Sequence, residues 1–210
     1  MTENERNMEQ VRVAGICGSL RAGSHTRQAL TLALQGAEEW GAAVQMIDLR
    51  DYELVFCDGR RGQNAYPEGV RRLRRDLQQA HGVILATPEY HGGYSGVLKN
   101  ALDLMGFAEF EGKMIGLLAV SGGSMGAANA LNSLRSVGRS LHAWVLPQQV
   151  SISGGWKQFN PDGTLRDPEM AKRVRTLGRD VARFAFLHTS EPAMAFLQAW
   201  EEAPVNPGGA

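Results

Sequence analysis

The chain has 210 residues, with 22 Lys and Arg against 22 Asp and Glu, so its formal net charge is zero. Apolar residues make up 43% and charged residues 21%, the balance of a soluble globular protein long enough to bury its own core. That balance argues against a nucleic-acid binder, whose affinity rests on surplus Lys and Arg, and weakly against an acidic electron carrier.

Cys17 and Cys57 form neither a disulfide framework nor a C-x-x-C pair. Met1 to Gln10 is polar, lacks the apolar run of a secretory signal, and reads as a disordered start. No segment nears the ~18 uninterrupted apolar residues of a membrane span. The expectation is one domain over residues 11–190, in the cytoplasm and away from membranes.

In chain order, Val11 to Cys17 is a short run rich in β-branched residues, read as the first strand. After a Gly/Ser-rich loop, Ala29, Leu30, Ala33, Leu34, Ala37 and Trp40 form one helical stripe that Gly41 ends. Ala43 to Leu49 reads as the second strand. A loop through Asp58, Gly59 and Gly62 leads to Pro67 and a helix to about His81.

Gly82 to Thr87 is nearly continuous in apolar character, as a strand covered on both faces is. The loop Pro88 to Gly93 follows, then a helix with Val97, Leu98, Ala101, Leu102 and Met105 on one face. Met114 to Val120 is the fourth strand, and Leu131, Leu134, Val137 or Gly138, and Leu141 mark the next helix. The fifth strand is Ala143 to Leu146, either ending at Pro147 or resuming beyond it as Gln149 to Ile152.

Gly154-Gly155 and Asn160 to Gly163 then carry turn chemistry. A long helix directs Val174, Leu177, Val181 and Phe184 inward. Residues 191–210 hold a short amphipathic helix, with Phe196, Leu197 and Trp200 on one side, and a tail from Pro204 that reads as disordered. The apolar stripe packs either onto a second subunit or back onto the chain's own core.

Alternating strand and helix implies an α/β fold: a doubly wound, five-stranded parallel sheet with helices on both faces. Ligands in such sheets bind beyond the carboxyl ends of the strands, where strand order reverses. The informative segments are therefore the loops after strands one, three and four.

The first, Gly18 to Thr26, lacks both the G-x-G-x-x-G spacing and the P-loop lysine. It offers the hydroxyls of Ser19, Ser24 and Thr26 and the Arg21 guanidinium at a helix N-terminus, whose unpaired amides favour an anion. A phosphate site is one reading; the other is a plain cap, with Ser24 as N-cap and Arg21 solvated. A helix dipole contributes only ~0.3–1 kcal/mol, so any phosphate-bearing ligand must bury a large flat group elsewhere. Pro88, Glu89, Tyr90, His91 and Gly92, and then Ser121, Gly122 and Gly123, offer amides and aromatics for such a group. Tight turns needed for packing alone are the alternative.

Gly122-Gly-Ser-Met-Gly126 also satisfies G-x-S-x-G, with Asp167 or Asp180 and His188 available to complete a triad around Ser124. His188 falls within a helical run, and a hydrolase leaves the Ser19/Arg21/Ser24 loop unexplained.

Taken together, the three loops resemble the NADPH-dependent FMN reductase family, flavodoxin-like proteins that include chromate, quinone and azo-dye reductases. The matching residues are Gly18-Ser-Leu-Arg-Ala-Gly-Ser24, Pro88-Glu-Tyr-His91 with Leu98-Lys-Asn-Ala-Leu-Asp103, and Ser121-Gly-Gly123. Ser121 to Ser124, Leu134-Arg135 and Leu146-Pro147 are similar to its arsenic-resistance branch. His91 and Thr26 stand where Asn is usual in the family, Ser95 where Pro is common, and Leu104 where Trp is frequent.

The resemblance implies bound FMN, with NADPH or NADH as co-substrate. The FMN phosphate would lie on Ser19, Leu20, Arg21, Ser24, His25 and Thr26. Its ring would lie on Pro88, Glu89, Tyr90, His91, Gly92, Ser121, Gly122 and Gly123. It implies ping-pong transfer of two electrons to a quinone, azo, chromate or ferric acceptor, and a homodimer or homotetramer. The amides of Gly122 and Gly123, ahead of a helix N-terminus, are candidate donors to the ring's polar edge. No catalytic side chain is assigned, although His91 is a candidate proton donor to a reduced quinone or else a solvated loop residue. The five histidines form no metal-ligand spacing. Arg60, Arg61, Arg71, Arg72, Arg74 and Arg75 meet either the extra phosphate of NADPH, an acidic partner, or only Glu68 and Asp76 on a solvated face. A flavodoxin-type electron carrier remains the second reading.

Overall fold

The computed structural model describes residues 11–60, 62 and 65–202. The first half runs β1 (Arg12–Cys17), α1 (His25–Glu39), β2 (Ala43–Asp48), α2 (Glu68–Gln78), β3 (Gly82–Tyr90), β4 (Gly93–Tyr94), α3 (Gly96–Asp103) and α4 (Phe107–Phe110). The second runs β5 (Met114–Val120), α5 (Ala128–Ser140), β6 (Trp144–Ile152), α6 (Gly155–Gln158), α7 (Pro168–Thr189) and α8 (Glu191–Glu201).

Five parallel strands lie in the order β2-β1-β3-β5-β6. The chain winds from β1 outward to β2 and then back across to β3, so the order reverses between β1 and β3. Helices α1 and α7 bury Leu30, Leu34, Leu177 and Val181 on one face of the sheet. On the other, α2, α3 and α5 bury Leu73, Leu77, Leu98, Leu131 and Leu134. The central strands are covered on both sides, which is why β3 and β5 read as unbroken apolar runs.

Two glycines let α1 and α7 cross at backbone contact. A Cβ on Gly178 would stand 1.7 Å from the Ala33 carbonyl oxygen, and one on Gly36 would stand 2.1 Å from that of Arg175.

The structure corrects the expected strands in one place and decides between two alternatives in another. A sixth strand is present, because β3 continues through Pro88 and Glu89 to Tyr90 and folds back on the two-residue β4. His91 and Gly92 form the turn between them, both at positive φ (51° and 76°), the pattern of a type I′ hairpin. And β6 does not stop at Pro147. Its pairing shifts from Val145 opposite Ile115 to Gln149 opposite Leu117, and the bulge absorbs the proline on an edge strand.

Helix α8 buries none of its residues, so Phe196, Leu197 and Trp200 do not pack back onto the core. Among the described residues, no helix is long and apolar enough to cross a membrane. The disorder expected for residues 1–10 and 204–210, and the place of Arg61, lie outside the described residues.

Candidate functional site

A cleft opens beyond the carboxyl ends of β1, β3 and β5, at the reversal of strand order. Its cavity volume is about 170 Å³, and about 600 Å³ of free space is counted when the open mouth is included. All three loops singled out in the sequence reach it.

The first wall is Ser19, Arg21, Ser24, His25 and Thr26. Ser19, Ser24 and Thr26 are only 3–4% exposed. The Ser24 hydroxyl accepts the Arg27 N–H at 3.2 Å as N-cap of α1 and keeps its own hydrogen to donate. Among the described residues, the Ser19 and Thr26 hydroxyls have no hydrogen-bond partner and the Arg21 guanidinium has no ion pair. His25 opens α1 and stacks flat on Phe159, ring centroids 4.8 Å apart. Burial, and then the Arg21 charge, push its pKa below the usual histidine value, so the ring is neutral at pH 7.

The second wall is Pro88, Glu89 and the half-exposed Tyr90. The Glu89 carboxylate accepts the Ala130 N–H at 3.0 Å, in the first turn of α5. Ser151 Oγ accepts the Ala127 N–H at 2.8 Å at the same helix end. Two amides at the positive end of α5 are thus engaged by the chain's own oxygens. The third wall is Val120, Ser121 and Gly122. The Gly123 carbonyl is taken up by the Gly154 N–H at 2.9 Å and the Ser121 hydroxyl at 3.2 Å.

Leu20, His91, Gly92 and Gly123 stand outside the lining, while Gly23, Gly155 and Trp156 join it. The only sequence signal for the last two was the Gly154-Gly155 pair, read as a turn. A Cβ on Gly155 would stand 2.6 Å from Val120 Cγ1, so only glycine lets this turn close against the cleft.

Behind the first wall, Asp48 ends β2 almost fully buried, paired with Arg27 and Arg50, each at 2.7 Å. Burial alone would raise its pKa; the hydrogen bonds from Arg50 and Arg27 outweigh that and hold it down at about 2.

The triad around Ser124 does not assemble. Asp167 caps α7 by accepting the Glu169 N–H at 2.9 Å, and Asp180 pairs with Arg179 at 3.2 Å. His188 stacks on Trp144, the first residue of β6, whereas Ser124 follows the carboxyl end of the neighbouring β5. A seven-residue strand separates those ends by roughly 20 Å. The arginine-rich stretch is compensated locally. Arg60 pairs with Asp58, and both Arg71 and Arg75 pair with Glu68. Arg72 meets Asp76 at 3.7 Å, and Arg74 donates to the Leu104 carbonyl at 2.7 Å. Among the described residues, no group of three or more His, Cys, Asp and Glu is placed to hold a metal.

Residues 11–157 match the family model described as NADPH-dependent FMN reductase. The chain belongs to that family. An FMN-dependent NADPH-azoreductase of Staphylococcus saprophyticus is 33% identical over 80% of this chain and 92% of its own length. The NADPH-dependent FMN reductase ArsH of Shigella flexneri is 29% identical over 84% of this chain and 69% of its own. FerB, an NAD(P)H:(acceptor) oxidoreductase from Paracoccus denitrificans, superposes with a TM-score of 0.69 over 85% of this chain and 98% of its own. At 24% identity that likeness bears on the fold alone, which is flavodoxin-like. As an FMN reductase family member the chain is an oxidoreductase, which sets aside both the hydrolase and the bare electron carrier.

Proposed function

We propose that the cleft holds FMN, its phosphate against Ser19, Arg21, Ser24 and Thr26 and its ring between Pro88–Tyr90 and Ser121–Gly122. With it the enzyme oxidises NADPH and reduces a quinone, azo, chromate or ferric acceptor. One observation carries this reading: Ser19 and Thr26 are residues only 3% exposed, and their hydroxyls, unpaired among the described residues, stand in one cleft wall with Arg21. Free hydroxyls facing the cleft can donate to phosphate oxygens, whose charge the Arg21 guanidinium offsets.

Bound FMN supplies the chemistry, accepting a hydride and passing on two electrons. The chain's own residues bind and orient. Tyr90 walls the ring site with an aromatic face. The Gly122 amide stands ready to donate to the ring's polar edge. Neutral His25 and its Phe159 partner close the phosphate side without adding a titrating charge. Family membership supports FMN and a reduced nicotinamide; the preference for NADPH over NADH rests on the family's description. The open mouth of the cleft would admit nicotinamide and acceptor in turn, which supports ping-pong kinetics. The uncovered apolar face of α8 supports a homodimer or homotetramer, and the NADPH requirement supports a cytoplasmic enzyme.

The purified protein should be yellow and should oxidise NADPH when given an azo dye or quinone. Initial-rate plots at several acceptor concentrations should be parallel, and light scattering should report a dimer or tetramer. Absence of heat on titration with FMN, from protein freed of flavin, would overturn the reading.

A further inference from the structure

We propose that Arg27 is a positioning residue, held in place by Asp48, that turns the amides of the loop after β1 away from itself to form the phosphate cradle. The inference rests on the FMN reading above and adds what shapes that site.

Arg27 lies in the first turn of α1, with its side chain 17% exposed. Its Nη2 donates to the Ser19 carbonyl at 3.1 Å, and its Nη1 donates to the Arg21 carbonyl at 3.0 Å and the Ala22 carbonyl at 3.4 Å. Its Nε donates to Asp48 Oδ2 at 2.7 Å and its Nη2 also to Oδ1 at 3.3 Å. One guanidinium fork therefore gathers three carbonyls of the same loop and is itself anchored by a carboxylate. Arg50 holds that carboxylate from the other side, through its backbone N–H at 3.1 Å and its Nη2 at 2.7 Å.

Gathered carbonyls dictate where the amides go. The peptide bonds of the loop are trans, so each C=O and the N–H of the next residue point to opposite sides. The Leu20, Ala22 and Gly23 amides therefore face away from Arg27. None of them donates to a backbone or side-chain acceptor among the described residues. Gly23, Arg21 and Ser24 line the cleft, and nothing lies within 4 Å of where a Gly23 side chain would begin. The Gly23 amide, whose residue lines the cleft, stands with the Ser19, Ser24 and Thr26 hydroxyls as an anion nest. Asp48 offsets the charge of Arg27, so what Arg27 brings to the nest is the direction of the loop's peptides. A lysine offers one point charge and cannot bridge three carbonyls and a carboxylate together.

The test compares FMN with riboflavin, which lacks the phosphate, in fluorescence titrations of flavin-free protein. In Arg27→Lys, FMN binding should weaken about tenfold or more while riboflavin binding stays within about twofold. Asp48→Asn should shift the same ratio in the same direction by less. Circular dichroism and thermal unfolding confirm that the variants are folded, and if Arg27→Lys does not fold, Asp48→Asn decides alone. A folded variant that keeps the wild-type ratio, or that loses both flavins equally, overturns the proposal. Wild-type protein that binds riboflavin as tightly as FMN would instead remove the phosphate reading itself, independently of either variant.

Discussion

The Ser95 hydroxyl donates to the Gly18 carbonyl across 2.6 Å and so ties the loop after β1 to the start of α3. The same oxygen accepts the Leu98 N–H at 3.2 Å, capping α3, while the Ser95 N–H donates to Thr87 Oγ1 at 2.9 Å. The Gly18 N–H returns to the Ala86 carbonyl at 2.8 Å. Two walls of the cleft are therefore braced as one body through a side chain that is 2% exposed.

Ser95→Ala removes the cap and leaves a buried carbonyl short of a donor. It should lower unfolding free energy by about 1–3 kcal/mol, read from urea midpoints at constant slope. Ser95→Pro fits the backbone, since φ is −63°, but it sacrifices the amide bond to Thr87 as well as the hydroxyl. It should be at least as destabilising.

His91 occupies a left-handed turn position, φ 51°, that favours Gly or Asn over other residues. His91→Asn should raise the unfolding free energy by about 0.5 kcal/mol, and a β-branched His91→Val should lower it by about 1 kcal/mol or more. Because the imidazole lies outside the cleft lining, His91→Asn should leave quinone turnover within about twofold of wild type. A large drop in kcat with unchanged KM would restore the proton-donor role weighed from the sequence.

Asp48 contributes stability with a definite sign. Its carboxyl sits at about 2 when folded, against an ordinary 3.8 in the unfolded chain. The unfolded state thus takes up the proton first as pH falls. The stabilisation is complete above about pH 5, amounts to about 2 kcal/mol, and is lost between about pH 4 and pH 2. Asp48→Asn should unfold earlier than wild type in urea at pH 6, with the gap closing toward pH 2.5.

Glu89 acts on α5 through the Ala130 amide. Glu89→Ala should destabilise the fold by about 1 kcal/mol, and Glu89→Gln, which keeps an acceptor oxygen, by less. Because the carboxylate is already engaged there, flavin affinity should fall only slightly in Glu89→Gln. A loss above about tenfold in that variant would mean that the side chain reaches the ring as well.

Strand and helix alternation, the sheet's wrapped character and the three loops were all readable along the chain, because each is written in local pattern. Unbroken apolar runs marked β3 and β5, three- and four-residue spacing marked α1 and α5, and Ser24 sat where a cap belongs. β4 was not readable, since its two residues become a strand only by pairing with Glu89 and Tyr90. Nor was the role of Arg27, whose acceptor Asp48 lies 21 residues away on another element. Glu89 meets Ala130 across 41 positions, and Gly155 earns its place only from the nearness of Val120. Periodicity and capping act over a few neighbouring residues, so sequence determined which elements form and which loops carry chemistry. Hydrogen bonds and packing act through space, so only the tertiary structure decided which oxygens those loops present and which stay occupied by the chain itself.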